Sequence, residues 1–525
     1  MVEPPKSYSE RIFLLMPFFF GLTLGIGIAL GVTLMYVREA GLGKQAKQTA
    51  EVLKLIKENY VEEVNLDSLN KTNLQNLLSQ LDPHSSYIPA EEVALAQSQL
   101  ETDFEGIGIE YEWLNDTLFV NYPLPQSPAE KAGIRAGDKI LAIDNEPVTY
   151  NNGENVVDIF QKLRGKRGTR VKLKILRNWQ ILEKSVERDK IVSKSVEGYL
   201  ADSKIAYIRI LRFAEKTDQE FSEILESFVQ KDSIQALIID LRENGGGYMD
   251  RANRIADELL EAGLLIVSTK GKQKRYHQEY KATAGGIFEK GQVCVLLDEG
   301  SASASEILAG ALQDNDRATL IGRKSYGKGL VQVPFSLSDG SELRLTVSKY
   351  YTPSGRCIQR PYHNGKKYSK SLEERYKTGF LLQDTTIDRK EVFQTRKGKI
   401  VYGGGGIVPD IIIPWDSTKY EEKIKDFLQK TTLKTWLAEY AHQNLKNLQE
   451  KGFKDFLQNW QIPENMLSKA FVKWNFNEKE KKYIIKQLKA FVAKIIWGKA
   501  AYYQVLNYED DFLEKAVKIL KENSQ

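Results

Sequence analysis

The sequence predicts a multidomain α/β protein with a membrane-spanning segment ahead of its globular part and a run of helices behind it. Three observations carry this. Strand-like apolar runs at residues 205–210 and 234–241 flank a helical stretch at about 218–230, and a strand–helix–strand order implies a mixed or parallel sheet covered by helices. The 26 residues 12–37 contain no charge. Beyond residue 415 the chain reads as successive amphipathic helices, with Phe427, Trp436, Tyr440, Phe453, Phe456, Trp460, Phe471 and Trp474 set among lysines and glutamates; aromatics at helical spacing form a core.

At 525 residues the chain is too long for one ordinary core. Its 28% charged and 42% hydrophobic residues are those of globular domains. The net charge of +5 is a small difference between 75 basic and 70 acidic residues, which argues against a polyanion partner, and no nucleic-acid motif is present. Cys294 and Cys357 cannot build a disulfide framework and form no CxxC pair. Cys294 lies in an apolar run and reads as a small core residue. The four histidines, His84, His277, His363 and His442, lack ligand spacing and read as ordinary loop or surface residues, so neither a metal nor an organic cofactor is expected.

Residues 1–11 are read as a cytoplasmic N-terminus, and residues 12–37, bounded by Arg11 and Arg38, are long enough to cross about 30 Å of hydrocarbon. Tyr36-Val37-Arg38-Glu39-Ala40 is a poor cleavage pattern, which favours an uncleaved anchor. Glycines 21, 25, 27 and 31 permit close pairing with another helix. Flanking charge leaves the orientation open, since Lys6 and Arg11 face Arg38, Lys44 and Lys47. Residues 38–100 are read as a helical region, with Val52, Leu53, Ile56 and Tyr60 on one face.

Residues 101–190 stand out as an accessory unit. Phe104-Glu105-Gly106-Ile107-Gly108-Ile109, the run Ser127-Pro128-Ala129 to Ala132-Gly133-Ile134, and a helix near 156–163 together resemble a PDZ domain. The resemblance lays the carboxylate-binding loop on Gly106, Ile107, Gly108 and Ile109, and implies that a peptide with a free C-terminus pairs with the adjoining strand edge.

In the core, residues 191–415, an apolar run at 293–297 ends in a turn and passes through Ser301-Ala302-Ser303-Ala304-Ser305-Glu306 into helical periodicity. The ordinary reading of Ser303 is a helix cap, and Ser303-x-x-Glu306 fits the capping box. Amides at a helix start can also stabilise an oxyanion. Further on, Gly322 to Gly329 nearly spells a phosphate loop but has Gly329 where a hydroxyl is needed, and a strand follows instead of a helix. What remains is Lys328 between Gly327 and Gly329, a lysine able to act as a base.

Together these two segments resemble the carboxyl-terminal processing peptidases, the tail-specific protease family. The resemblance implies a crotonase-like serine protease core with an inserted PDZ domain. It lays the nucleophile on Ser303, the base on Lys328, a supporting amide on Gln332, a structural role on Glu306, and the oxyanion amides on Ala304 and on Gly247 or Gly246 of Asp240-Leu241-Arg242-Glu243-Asn244-Gly245-Gly246-Gly247. Leu81-Asp82-Pro83-His84-Ser85-Ser86-Tyr87 and Gly403–Asp410 match further family segments, the first read as packing or dimerisation structure. The chemistry has its own demand: a serine hydroxyl needs a neighbour to take its proton. Bringing a lysine from about 10.4 toward 7 disfavours its ammonium by about 4–5 kcal/mol. Desolvation can supply this and a nearby carboxylate opposes it, so Lys328 is expected to be buried among apolar groups and glycines, with Glu306 turned elsewhere.

The expectation is therefore an endopeptidase held in the cell membrane by a single span, its catalytic part outside the cytoplasm in the periplasm or an equivalent compartment, where the family works. Residues 416–525 are expected to be an oligomerisation or adaptor-docking domain, because the core looks complete before them. Two other readings share parts of the pattern. A PDZ scaffold with a silent core would have no reason to keep both Ser303 and Lys328, and a crotonase-like acyl hydrolase or transferase would not need a PDZ domain.

Overall fold

The structure, a computed structural model, describes residues 45–522 except 99, 115, 150–155, 363–390, 415, 417, 419–420 and 473, with five isolated positions before them. The proposed span at 12–37 lies outside the described residues apart from Leu24, Gly25, Gly27 and Ile28. No helix among the described residues is long and apolar enough to cross a membrane. Much of the polar stretch 359–399 likewise falls outside. The chain divides into two compact units, residues 1–77 and 78–525. In the first, residues 45–59 are helical.

The second unit is built on a six-stranded sheet in the order Val196–Asp202, Ile205–Ile210, Ala236–Asp240, Gln292–Leu297, Thr319–Gly322 and Ile411–Ile412. The first pair is antiparallel and the rest are parallel. Parallel strands need crossovers, and helices Thr217–Ser227, Met249–Asp257 and Ala304–Asp314 supply them. Strands covered on both faces read as unbroken apolar runs, and side chains here alternate between two cores. Ala206, Ile208, Leu237, Ile239, Val293 and Val295 face the crossover helices. Tyr207, Ile238, Cys294, Leu296 and Ile321 face Phe512, Ala516 and Leu520 of the chain's last helix, Asp511–Glu522. The core is therefore not complete at residue 415: its second face is covered from the far end of the chain. Burial pushes the Cys294 thiol up to about 12, as expected of a packed, unreactive residue.

A second sheet carries the base-bearing segment. Glu342–Tyr351 pairs with Leu330–Ser336, Leu265–Gly271 and the short Ser86–Ile88, all antiparallel. The PDZ unit is a separate sheet in which Ile109–Leu114 is the terminal strand, paired only with Thr117–Pro123 among the described residues. Eight helices between Glu422 and Glu522 follow. Their core includes Leu114, Phe119 and Ala136 of the PDZ unit, and Lys494 and Lys499 pair with Glu110, and Lys434 with Glu112, from that terminal strand.

The helix that starts at Ser303 is fixed at its far end too. Asp314, its last residue, accepts from the Arg356 guanidinium at 2.7 Å and from the Ser354 hydroxyl at 2.6 Å, while Arg356 also donates to Gln313 at 2.7 Å. Arg356 and Asp314 are wholly buried. Removing one partner strands the other charge in the interior, so Arg356→Ala is expected to lose about 3–5 kcal/mol of stability in denaturant unfolding.

Candidate active site

Ser303 sits at the N-cap of Ala304–Asp314 with φ 56° and ψ −113°. A positive φ strains a residue that carries a Cβ, by about 1–3 kcal/mol, so its surroundings must hold it. Glu306 does much of this. Its carboxylate is fully buried and accepts from four donors: the amides of Ser303 at 2.9 Å, Lys328 at 2.8 Å and Gly327 at 2.7 Å, and the Ser325 hydroxyl at 2.5 Å. One side chain thus ties the backbone of the expected nucleophile to that of the expected base. Burial raises the Glu306 carboxyl above its usual range, against the pull of these donors.

Tyr350, which nothing in the sequence distinguishes from the other tyrosines, makes a matching contact on the carbonyl side. Its buried hydroxyl lies 2.9 Å from the Lys328 carbonyl and 3.2 Å from the Ser303 carbonyl, sharing one proton between them. Burial pushes that phenol well above its ordinary value, so it stays a donor.

Lys328 is pressed in by its glycine neighbours. A Cβ on Gly327 would meet Arg360 Cγ at 2.5 Å, and one on Gly329 would meet the Gln359 amide nitrogen at 2.9 Å. Desolvation by burial lowers the amine below the usual lysine value; the positive charge of Arg344 adds to this, while Glu306 and Asp82 oppose it. Glu306 is turned to backbone amides and Ser325, not to the ammonium. Among the described residues no hydrogen bond joins the Ser303 hydroxyl to the Lys328 amine.

The glycine loop after Ala236–Asp240 meets Ser303 closely. Gly246 has φ 101°, and a Cβ there would lie 2.8 Å from both Ser303 Cβ and the Ala302 carbonyl and 3.1 Å from the Ala304 amide nitrogen. The Gly246 amide donates to Asn244 Oδ1 at 2.9 Å, so it is already engaged. Among the described residues the amides of Gly247 and Ala304 have no partner, which favours Gly247 over Gly246 as an oxyanion donor. Asn244 locks this loop: its carbonyl accepts from the Ala302 amide at 3.0 Å and the Ser305 hydroxyl at 2.8 Å, and its amide group donates to the Ile210 carbonyl at 2.8 Å. The motif that suggested the glycines contained Asn244, whose role sequence reasoning missed.

Gln332 donates to Thr346 Oγ1 at 3.1 Å. The Thr346 amide in turn donates to Ser85 Oγ at 3.1 Å, and Ser85 to Asp82 at 2.6 Å. The segment at 81–87, read above as packing or dimerisation structure, thus packs against the strands that follow Lys328. His84 is a half-buried loop residue there; burial first, then the charges of Lys328 and Arg360, bring it down to about 4, so it is neutral at neutral pH. His277 and His442 lie elsewhere in the fold, and His363 falls outside the described residues. No group of three or more potential metal ligands gathers among the described residues.

In the PDZ unit, the carbonyls of Ile107 and Gly108 accept from the amides of Ala129 and Leu124, both at 2.9 Å. This fixes the Gly106–Ile109 loop at the head of the unpaired strand edge. Arg164 lies beside it, stacked 4.0 Å from the Phe104 ring centroid and paired with Glu101 at 2.7 Å.

Two substitutions test the clamp. Glu306→Gln replaces an acceptor-only group with one that carries two donors, leaving buried amides unpaired; a loss of about 2–4 kcal/mol in stability is expected. Gly246→Ala forces its methyl group into Ser303 and Ala302, and a fall in peptidase activity of at least tenfold is expected with the fold retained by circular dichroism.

Comparison with known proteins identifies the family. Residues 204–364 match peptidase family S41 and residues 119–177 match a PDZ domain. The carboxy-terminal-processing protease of Bartonella bacilliformis is 36% identical over 321 residues, covering 60% of this chain and 73% of its own length. A probable CtpA-like serine protease of Staphylococcus aureus is 33% identical over 312 residues, covering 58% of this chain and 61% of its own. The solved structure of a photosystem II D1 C-terminal processing protease is similar over 59% of this chain and 89% of its own, at 26% identity and a TM-score of 0.34. The chain is a member of peptidase family S41, a carboxy-terminal-processing serine protease with a PDZ domain.

Proposed function

We propose that this protein is a membrane-anchored endopeptidase that captures a free protein C-terminus on its PDZ unit and cleaves an upstream peptide bond with Ser303 and Lys328. The observation that carries the reading is the shared Glu306 contact, which joins the two backbones while leaving Lys328 desolvated. In the first step neutral Lys328 takes the Ser303 hydroxyl proton as the oxygen adds to the substrate carbonyl. The amides of Gly247 and Ala304 receive the developing oxyanion. The tetrahedral species collapses, the amine leaves with the proton held on Lys328, and an ester to Ser303 remains. Water, losing a proton to Lys328, then releases the new carboxylate and restores the serine. Because the two side chains are not hydrogen-bonded here, the amine must swing onto the hydroxyl when substrate closes the site, as catalytic contacts often do.

Gln332, fixed on Thr346, supports the strand that follows Lys328. The open edge of Ile109–Leu114, headed by Gly106–Ile109, receives the substrate's terminal residues. Residues 12–37 hold the enzyme in the membrane, with residues 1–11 in the cytoplasm and the catalytic part outside it.

The test is cleavage of an unstructured protein with an apolar free C-terminus by the full-length chain. Ser303→Ala and Lys328→Ala are each expected to abolish cleavage, and amidating the substrate's C-terminus to slow it. Activity in Lys328→Ala would remove the lysine from the mechanism. The pH profile gives a second check. Cleavage needs the neutral amine, so the rate should rise with pH through a value below that of free lysine. Arg344 lowers the Lys328 value, so Arg344→Gln should raise it and move the rising limb to more alkaline pH, while Arg344→Lys leaves it nearly in place.

A further inference from the structure

Three loops make the site: the glycine loop at 242–247, the nucleophile loop at 298–303 and the lysine loop at 323–328. Each is rooted in a buried charge. Arg242 donates to Asp240 at 2.7 Å, within the core. It also reaches out of the core to Asn507 Oδ1 at 3.0 Å and to both oxygens of Asp510 at 3.0 and 3.1 Å. Arg323, at the root of the lysine loop, pairs with Glu299 of the nucleophile loop at 2.7 Å, and both are almost wholly buried.

The two guanidinium groups meet on one ring. Phe512 has the Arg242 guanidinium carbon 4.7 Å and that of Arg323 5.1 Å from its centroid. A Cβ on Gly322, just before Arg323, would lie 2.8 Å from the Phe512 ring. Repulsion between two cations on one aromatic ring is offset by counter-charges, and here Asp510 and Asp240, the latter shared with Arg209, offset Arg242 while Glu299 offsets Arg323. Asp510 also accepts from the Leu513 amide at 3.1 Å, within the first turn of the last helix. Asn507, Asp510 and Phe512 thus touch the roots of all three loops, directly or through one side chain, without being part of the site.

We infer that Asn507, Asp510 and Phe512 are positioning residues for peptide-bond cleavage: the C-terminal helices set the glycine loop and the lysine loop against Ser303. The inference rests on the assignment of Ser303, Lys328 and Gly247 above. It gives residues 499–522 a positioning role in catalysis, apart from any oligomeric or adaptor role.

The experiment uses the full-length chain with Phe512→Leu, which keeps apolar volume but removes the ring, and with Asp510→Asn, Asp510→Glu and the exposed Lys518→Ala on the same helix as control. Steady-state cleavage and amide hydrogen exchange are measured together. Phe512→Leu and Asp510→Asn are expected to lower kcat about tenfold with KM within twofold of the parent, Asp510→Glu to recover most of it, and Lys518→Ala to change nothing. Exchange should quicken at 242–248 and 323–329 while the strands Ile205–Ile210 and Gln292–Leu297 stay protected. Unchanged exchange in those two loops, or acceleration spread evenly over the core, would overturn the inference, as would a rise in KM with kcat retained. Exchange reads the loops even where no turnover is seen, and Ser303→Ala run alongside reports on the nucleophile assignment separately: activity surviving in Ser303→Ala counts against that assignment, not against the loop coupling.

Discussion

The site depends on one buried carboxylate. Placing a charge where no water reaches it is unfavourable by several kcal/mol unless donors replace the water. Glu306 finds four, three of them backbone amides from two different segments. That need is what orders the site: loops that bring fewer amides would leave the charge exposed to its full penalty. Tyr350 closes the same pair of residues on the carbonyl side. Ser303 can then be kept at a positive φ that an isolated chain would relax. The strain is local and the restraint is distributed over Glu306 and Tyr350.

The lysine presents the opposite case. Glu306 is stabilised by what donates to it, whereas Lys328 is made useful by what is withheld. Glycines on both sides let neighbouring backbone crowd in, the nearest carboxylate is occupied, and Arg344 adds like charge. A residue that costs stability as an ammonium is thereby available as a base. Stability and reactivity at this position pull in opposite directions.

Much of this was legible in the chain. Strand and helix order followed from apolar periodicity, and the glycines around Lys328 marked a close approach of backbone. Ser303-x-x-Glu306 spelled out the reach of Glu306 to its own N-cap, but not its second reach across to Gly327 and Lys328, because that contact depends on tertiary placement. For the same reason Tyr350 was invisible: alternation put it on a strand and could not say which face met the site. The segment holding Asp82, His84 and Ser85 was recognised as packing structure but without its partner Thr346, which lies over two hundred residues away. The completeness of the core was misjudged because an apolar strand does not reveal which part of the chain will cover each of its faces.

That last point has a consequence for how the enzyme comes into being. Strand Ile205–Ile210 leaves the ribosome about 300 residues before Asp511–Glu522, the helix that buries its second face. Until then half of the catalytic sheet is an open apolar surface, and contacts so distant in sequence form late. A chain interrupted between Lys328 and Asp511 therefore carries Ser303 and Lys328 but not the covering for the sheet that supports them. Synthesis thus acts as a timer: the catalytic sheet is covered on both faces only once the helix Asp511–Glu522 has been made.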